Sequence, residues 1–282
     1  MKKKRKFEWG YLLLIPGIGY IVFFIAMSTH VMVMQSLGYY NYTGVSEFSL
    51  KFWNEVFEQG FWDSLLFSLK IGIGSSMISI IICYPLALLL QKTPGKKILL
   101  SIIQTPLFIP ALVGSFLIIN IIDYHGIVNE LLVFLRIIEE PLRLRNDDYG
   151  IGVLVIQVWK NVPFQMIIMF SAIEGIRKDV MDAARNLGAN TFSVLRHIIF
   201  PLSLPSALVA VILVFIRTFN DFAISNTAGP LYPTSLANLM HKKAYMFNEW
   251  NTSACIGVMM MVTSIVFVSI YTAIAKKLEK MN

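Results

Sequence analysis

The chain has 282 residues, 56% of them hydrophobic and only 15% charged. A soluble domain carries nearer ~25% charge, and here the charge-free runs 9–46, 71–91, 98–122, 197–216 and 251–275 each reach the ~20 residues that cross about 30 Å of hydrocarbon. A large soluble domain is excluded, and the net charge of +7 divides among loops in a way that argues against nucleic acid as its partner.

The expected fold is all-α, a single polytopic membrane domain over 1–282 with the lipid bilayer as its solvent. Its six spans are predicted at about 10–34, 63–90, 98–122, 149–173, 201–222 and 251–275, with a polar loop at 174–200. The first span is too long for a signal peptide and lacks a small-residue cleavage site. The segment 38–60 that follows is aromatic, with Tyr39, Tyr40, Tyr42, Phe52 and Trp53 suited to an interface. Span two ends in a tight turn marked by Pro94 and Gly95. Span three contains Pro106, Pro110 and Gly114, which predict a kink. The loop 123–148 includes GIVNELLVFL, an apolar helix too short to cross. Span four is interrupted only by Lys160. A turn-rich loop separates span five from span six.

Basic residues cluster at alternate connections. One set is Lys2, Lys3, Lys4, Arg5 and Lys6, then Lys92, Lys96 and Lys97, then Arg177, Lys178, Arg185 and Arg196, then Lys276, Lys277 and Lys280. The opposite connections hold fewer: Lys51, Arg136, Arg143, Arg145, Lys242 and Lys243. The positive-inside rule therefore places both termini and the 174–200 loop in the cytoplasm of a prokaryotic cell membrane. Cys83 and Cys255 fall inside spans without CxxC spacing, and His30, His125, His197 and His241 are scattered. No metal site and no catalytic residue is expected.

The loop between spans four and five holds the densest pattern. Asp179 is predicted to cap a helix that runs to Leu187. Gly188 suits the left-handed position that ends a helix, because it has no Cβ to clash. Asn190 is predicted to cap a second helix over 191–200, and Pro201 to fix where the next span begins. The result is a helix–turn–helix bracket, with Ala183 and Ala184 small enough for a partner to approach closely.

The run 182–201, DAARNLGANTFSVLRHIIFP, closely resembles the EAA loop of binding-protein-dependent ABC importer permeases. That loop reads Glu-Ala-Ala, three residues, Gly, then about a dozen residues to Pro. Asp182 stands for the Glu, with the same charge and one methylene less reach; Ala183, Ala184, Gly188 and Pro201 match. Gly126, Asn129 and Leu132 likewise resemble the family's G-x-x-N-x-x-L element. The resemblance implies a type I importer fold. It makes Asp182, Ala183, Ala184, Gly188, Ala189 and Pro201 the part that couples to an ATP-binding subunit. It also implies two copies of that subunit, a second permease chain, related or identical, and an external solute-binding protein. This chain binds no cofactor; ATP and Mg belong to the ATPase. A G-x-x-x-x-G-K-[ST] phosphate loop is absent, since Leu90 precedes Gly95 where the first Gly belongs and Lys97 replaces Ser or Thr.

The solute is less legible. Leu187-Gly188-Ala189 after the two alanines resembles permeases for polyamines, iron and sulfate, and 220–225 (NDFAIS) resembles a polyamine-permease segment. KAYMF at 243–247 has the look of a sugar permease. Ionisable groups within spans are costly and therefore informative. Lys160 is expected about 16 Å below the outer end of span four. Arg217 and Asp221, spaced i, i+4, are expected to pair, leaving Lys160 as an unmatched cation that faces the pathway, snorkels or meets a partner subunit. Asn220 completes the candidate pathway set. A lone cation there disfavours a polyamine and favours an anion or a neutral solute, against the motif; a polyamine-like or other small organic or inorganic ion is the expected solute, with a carbohydrate as the alternative. An intramembrane enzyme lacks its paired carboxylates or Ser/His pair. A channel or secondary transporter has no use for the coupling loop.

Overall fold

A computed structural model describes residues 10–42, 44–58 and 60–279. Lys2 to Lys6 and Lys280, which carry part of the charge bias, lie outside them. The helices are, in order, α1 (Gly10–Ser36), α2 (Lys51–Glu58), α3 (Phe61–Lys92), α4 (Lys96–Ile103), α5 (Thr105–Phe108), α6 (Ala111–Ile122), α7 (Ile127–Phe134) and α8 (Ile151–Glu174). Then come α9 (Lys178–Asn186), α10 (Thr191–Val194), α11 (Phe200–Phe219), α12 (Ala223–Ala228), α13 (Leu236–His241) and α14 (Trp250–Glu279). No strand occurs among the described residues. Six stretches are long and apolar enough to cross a membrane: Pro16–Ser36, Phe61–Lys92, Ala111–Phe134, Ile151–Glu174, Thr191–Phe219 and Trp250–Lys277.

The chain divides into two compact units, Met1–Gln59 with Met240–Met259, and Gly60–Leu239 with Met260–Asn282. In the first, the start of α14 is tied to the end of α1. Asn251 Nδ2 donates to the Gln35 carbonyl at 2.7 Å, and the Cys255 thiol donates to the Ser36 carbonyl at 3.4 Å. Lys243 pairs with Glu249 at 2.8 Å beside a π-helical turn, Lys242–Met246. Of the aromatic residues in 38–60, Tyr39, Tyr40 and Tyr42 are exposed, while Phe52 and Trp53 are half-buried.

In the second unit α3 packs along α8, and α11 lies against both. Cys83, Ala87, Leu90, Met166, Met169 and Ile173 form one core cluster where these helices meet. Cys83 is a packing residue there, its thiol directed at the Val162 carbonyl. Farther along, one face of α8 is polar. Gln157, Asn161 and Gln165 recur every four residues and are all buried. Asn161 Nδ2 donates to Thr218 Oγ1 at 3.0 Å, and Gln165 Nε2 reaches the Ser76 carbonyl at 3.2 Å. These bonds link α8 to α3 and α11 at a depth where water does not compete.

The stretch 98–122 does not form one kinked span. Pro106 and Pro110 lack the N–H that a continuing helix needs, and the chain breaks into α4, α5 and α6. Helix resumes at Ala111, so the apolar stretch runs on toward α7. Between α6 and α7, Gly126 leaves no room for a side chain: a Cβ there would sit 2.5 Å from the Ile121 carbonyl oxygen.

Asn129, fully buried, fastens the long connection after α7. Its Nδ2 donates to the Asp123 and Leu142 carbonyls at 2.9 and 2.8 Å, and its Oδ1 accepts from the Leu142 N–H at 2.9 Å. Three bonds at about 1 kcal/mol each lead to a clear expectation. Asn129→Ala should lower the melting midpoint of the purified chain and open 135–148 to limited proteolysis; unchanged protection would show that the loop is held by something else.

Candidate functional site

The 174–200 loop is built from two short helices and a defined turn. Arg177 is the extended residue before α9, so Asp179 sits inside the first turn and is not the cap that the sequence predicted. Its carboxylate pairs with Arg177 instead, and that guanidinium holds it below the usual carboxylate range. Asp179 still favours the helix, since a negative charge near an N-terminus opposes the exposed N–H dipoles. At the other end Gly188 has φ +89, and nothing lies within 4 Å of where its Cβ would be. Glycine is needed there for backbone conformation, not for space. The Ala189 N–H reaches the Ala184 carbonyl at 3.0 Å and the Gly188 N–H the Arg185 carbonyl at 2.9 Å, the paired closure of a Schellman turn. Asn190 then caps α10, its Oδ1 accepting from the Ser193 N–H at 2.8 Å.

Pro201 does not open the next span. Helix runs on from α10 through a π-helical turn, Leu195–Ile199, into α11 without a break. In an α-turn the Pro201 ring would meet the carbonyl four residues back. The wider turn, with the Phe200 N–H bonded to the Leu195 carbonyl, relieves that crowding.

The two motif alanines separate. Ala184 and Ala189 pack inward against Ile176, Met181 and Val194, whereas Ala183 is exposed. At 100° per residue Ala183 shares the outer face of α9 with Val180 and with Leu187, which is 90% exposed. A leucine so exposed beside an alanine and a valine is an apolar contact face without a cover in this chain. Asp182 lies on the opposite side and pairs with Arg185 at 3.1 Å.

Among the described residues, no ion pair joins the candidate pathway residues to one another. Lys160 is only 4% exposed and is not unmatched. Its ammonium group donates to the carbonyls of Pro106 and Ile109. Pro110 has no N–H to offer the Pro106 carbonyl four residues back, and Ile109 is extended, outside either helix. Lys160 therefore satisfies the two acceptors orphaned by the break in span three. Lys70 does a smaller version of this, its ammonium bonding the Tyr149 carbonyl at 2.9 Å. Arg217 and Asp221 do not form the expected ion pair, because α11 ends at Phe219. Asp221 accepts instead from the Ile224 N–H at 2.8 Å at the start of α12. Arg217 and Asn220 are exposed, and the Asn220 amide bonds back to the Ile216 carbonyl at 2.8 Å.

Residues 76–280 match the family model described as the inner membrane component of binding-protein-dependent transport systems. The chain belongs to that family. It is a permease subunit of an ABC importer, and every element from the middle of α3 onward, including the whole 174–200 loop, falls in the matched range. Among curated relatives, the Haemophilus influenzae spermidine/putrescine transport system permease protein PotB is 25% identical over 267 residues, covering 93% of this permease and 89% of that protein. The Thermococcus litoralis trehalose/maltose transport system permease protein MalF is 23% identical and covers 97% of this permease and 96% of its own length. Among solved structures, a bacterial alginate ABC transporter in complex with an alginate pentasaccharide-bound periplasmic protein has a chain that superposes with a TM-score of 0.74 at 16% identity, covering 98% and 99% of the two chains. A chain of the MetNI methionine ABC transporter gives 0.58 at 13% identity, over 77% and 95%.

Two features of the permease escaped the sequence reading. Val180 and Leu187 fall outside the motif positions, yet their spacing from Ala183 on a helical wheel marks them. The buried amide stripe of α8 was legible as polar residues at i, i+4 and i+8 within an apolar span.

Proposed function

We propose that this permease forms half of a solute pathway and that α9 docks, through Val180, Ala183 and Leu187, into a groove of a separate ATP-binding subunit. The observation that carries this reading is the exposed apolar stripe of α9, held in place by the Gly188 turn. The loop and both termini lie in the cytoplasm of a prokaryotic cell membrane, as the basic residues support. ATP and Mg are bound by the partner, present in two copies, one for each of two permease chains. An external binding protein delivers the solute on the opposite side. Asp182, Ala184, Gly188, Ala189 and Pro201 shape the docking helix and its link to α11. Arg217, Asn220 and Asp221, at the far end of α11, are offered to the pathway.

The solute class that fits best is a small polyamine-like cation or another small organic ion. PotB relatives and the 184–189 and 220–225 segments support it. The buried place of Lys160, its ammonium held on backbone carbonyls and only 4% exposed, weakens the objection it raised. A carbohydrate is the second reading, supported by the MalF relative and by the 243–247 segment.

A pull-down of the tagged full chain tests the docking. Wild type should recover an ATP-binding subunit, and Gly188→Arg should not, since any Cβ residue is strained at φ +89. Equal recovery by the mutant, or none by wild type, overturns the reading.

A further inference from the structure

The face of α9 that turns away from Leu187 borders a cavity of about 340 Å³, at the small end of the ~300–1,000 Å³ typical of ligand sites. Its walls divide by chemistry. Leu88, Leu89, Leu195 and Ile199 make an apolar floor, and Lys92, Lys178 and Arg185 stand around it with one carboxylate, that of Asp182. Arg185 is partly neutralised by Asp182 at 3.1 Å. Among the described residues neither Lys92 nor Lys178 has an ion-pair partner. The position of this cavity is set by the sequence. The charge-free run of α3 ends at Lys92, and that of α11 begins just after Arg196, so the cavity sits where hydrocarbon gives way to headgroups. Apolar floor and cationic rim at that level match one kind of molecule: a lipid with an anionic headgroup and an acyl chain.

We propose that this cavity binds an anionic phospholipid of the surrounding leaflet, its phosphodiester between Lys92 and Lys178 and its chain along Leu88, Leu89 and Ile199. The lipid bridges the end of α3 to α9 on the side opposite the docking stripe, so it steadies the coupling helix without covering Leu187. The site rests on the orientation proposed above only for naming the cytoplasmic leaflet. Retention of lipid is read on the chain alone, so its failure and the failure of ATPase docking are seen separately.

Native mass spectrometry of the purified full chain, offered equal amounts of phosphatidylglycerol and phosphatidylcholine with the same acyl chains, tests this. Wild type should retain phosphatidylglycerol in preference. Lys92→Gln and Lys178→Gln should each weaken retention about fivefold, and the pair about 25-fold. The charge-keeping Lys92→Arg/Lys178→Arg pair should restore it. Both lysines are exposed, so the substitutions leave the core untouched. Lys276→Gln/Lys277→Gln, at the end of α14, should change nothing. Equal retention of the two lipids by wild type overturns the proposal. So does an equal loss in the α14 pair, which would mean general attraction to any basic end. Displacement by excess inorganic phosphate at constant ionic strength would mean a free-anion site and overturns it as well.

Discussion

Replacing Lys160 by Met is expected to lower the stability of the purified chain by about 3 kcal/mol, since each carbonyl left unpaired in a dry interior costs about 1–3 kcal/mol. For a domain of this size that is roughly 6–12 °C in the melting midpoint. The effect is large because the cation serves two acceptors, the carbonyls of Pro106 and Ile109, and neither has a neighbouring N–H to turn to. Lys160→Gln keeps a donor of shorter reach and should lose about half as much. Scanning fluorimetry of the two variants beside wild type measures both. Were Lys160 instead a solute-facing charge, Lys160→Met would change transport and leave the melting midpoint where it was.

The opposite signature is expected at Leu187. It is 90% exposed, so Leu187→Glu should leave the melting midpoint unchanged. Recovery of the ATP-binding subunit should nevertheless fall about 30-fold or more. An apolar anchor at the centre of an interface is worth about 2 kcal/mol or more, and 1.4 kcal/mol is tenfold in affinity. Here the substitution also buries a carboxylate against the partner. Titration of the solubilised permease against the purified ATPase, with melting measured on the same samples, separates the outcomes. Wild-type affinity in Leu187→Glu would place the docking face elsewhere on the loop, and a joint loss of affinity and stability would assign Leu187 to the fold.

What the sequence disclosed, and what it hid, follows from the range of each interaction. Gly188 and Asn190 were readable because their roles depend on backbone within a few residues: a left-handed turn and a side-chain cap. That there are six spans was readable because hydrocarbon demands long apolar runs, but the third was misplaced: its predicted run 98–122 breaks at the prolines, and the stretch long enough to cross is Ala111–Phe134. Lys160 was misjudged because its partners are carbonyls over fifty positions earlier, made available only when two prolines break a helix. Arg217 and Asp221 were misjudged because i, i+4 spacing means proximity only while the helix lasts, and α11 stops at Phe219. The exposed apolar stripe proposed for docking needed the wheel of α9, not its motif letters. Ala183 and Ala184 read alike in sequence, yet one is exposed and the other packed inside the bracket.

The passage from α10 through the π-helical turn into α11 has a mechanical meaning. Thr191–Phe219 is a single strut of 29 residues, about 44 Å long at 1.5 Å per residue. An irregular loop at Pro201 would absorb a push delivered beside Asn190. Unbroken helix passes it on toward Phe219, and the π-helical turn and Pro205 mark where the strut would bend.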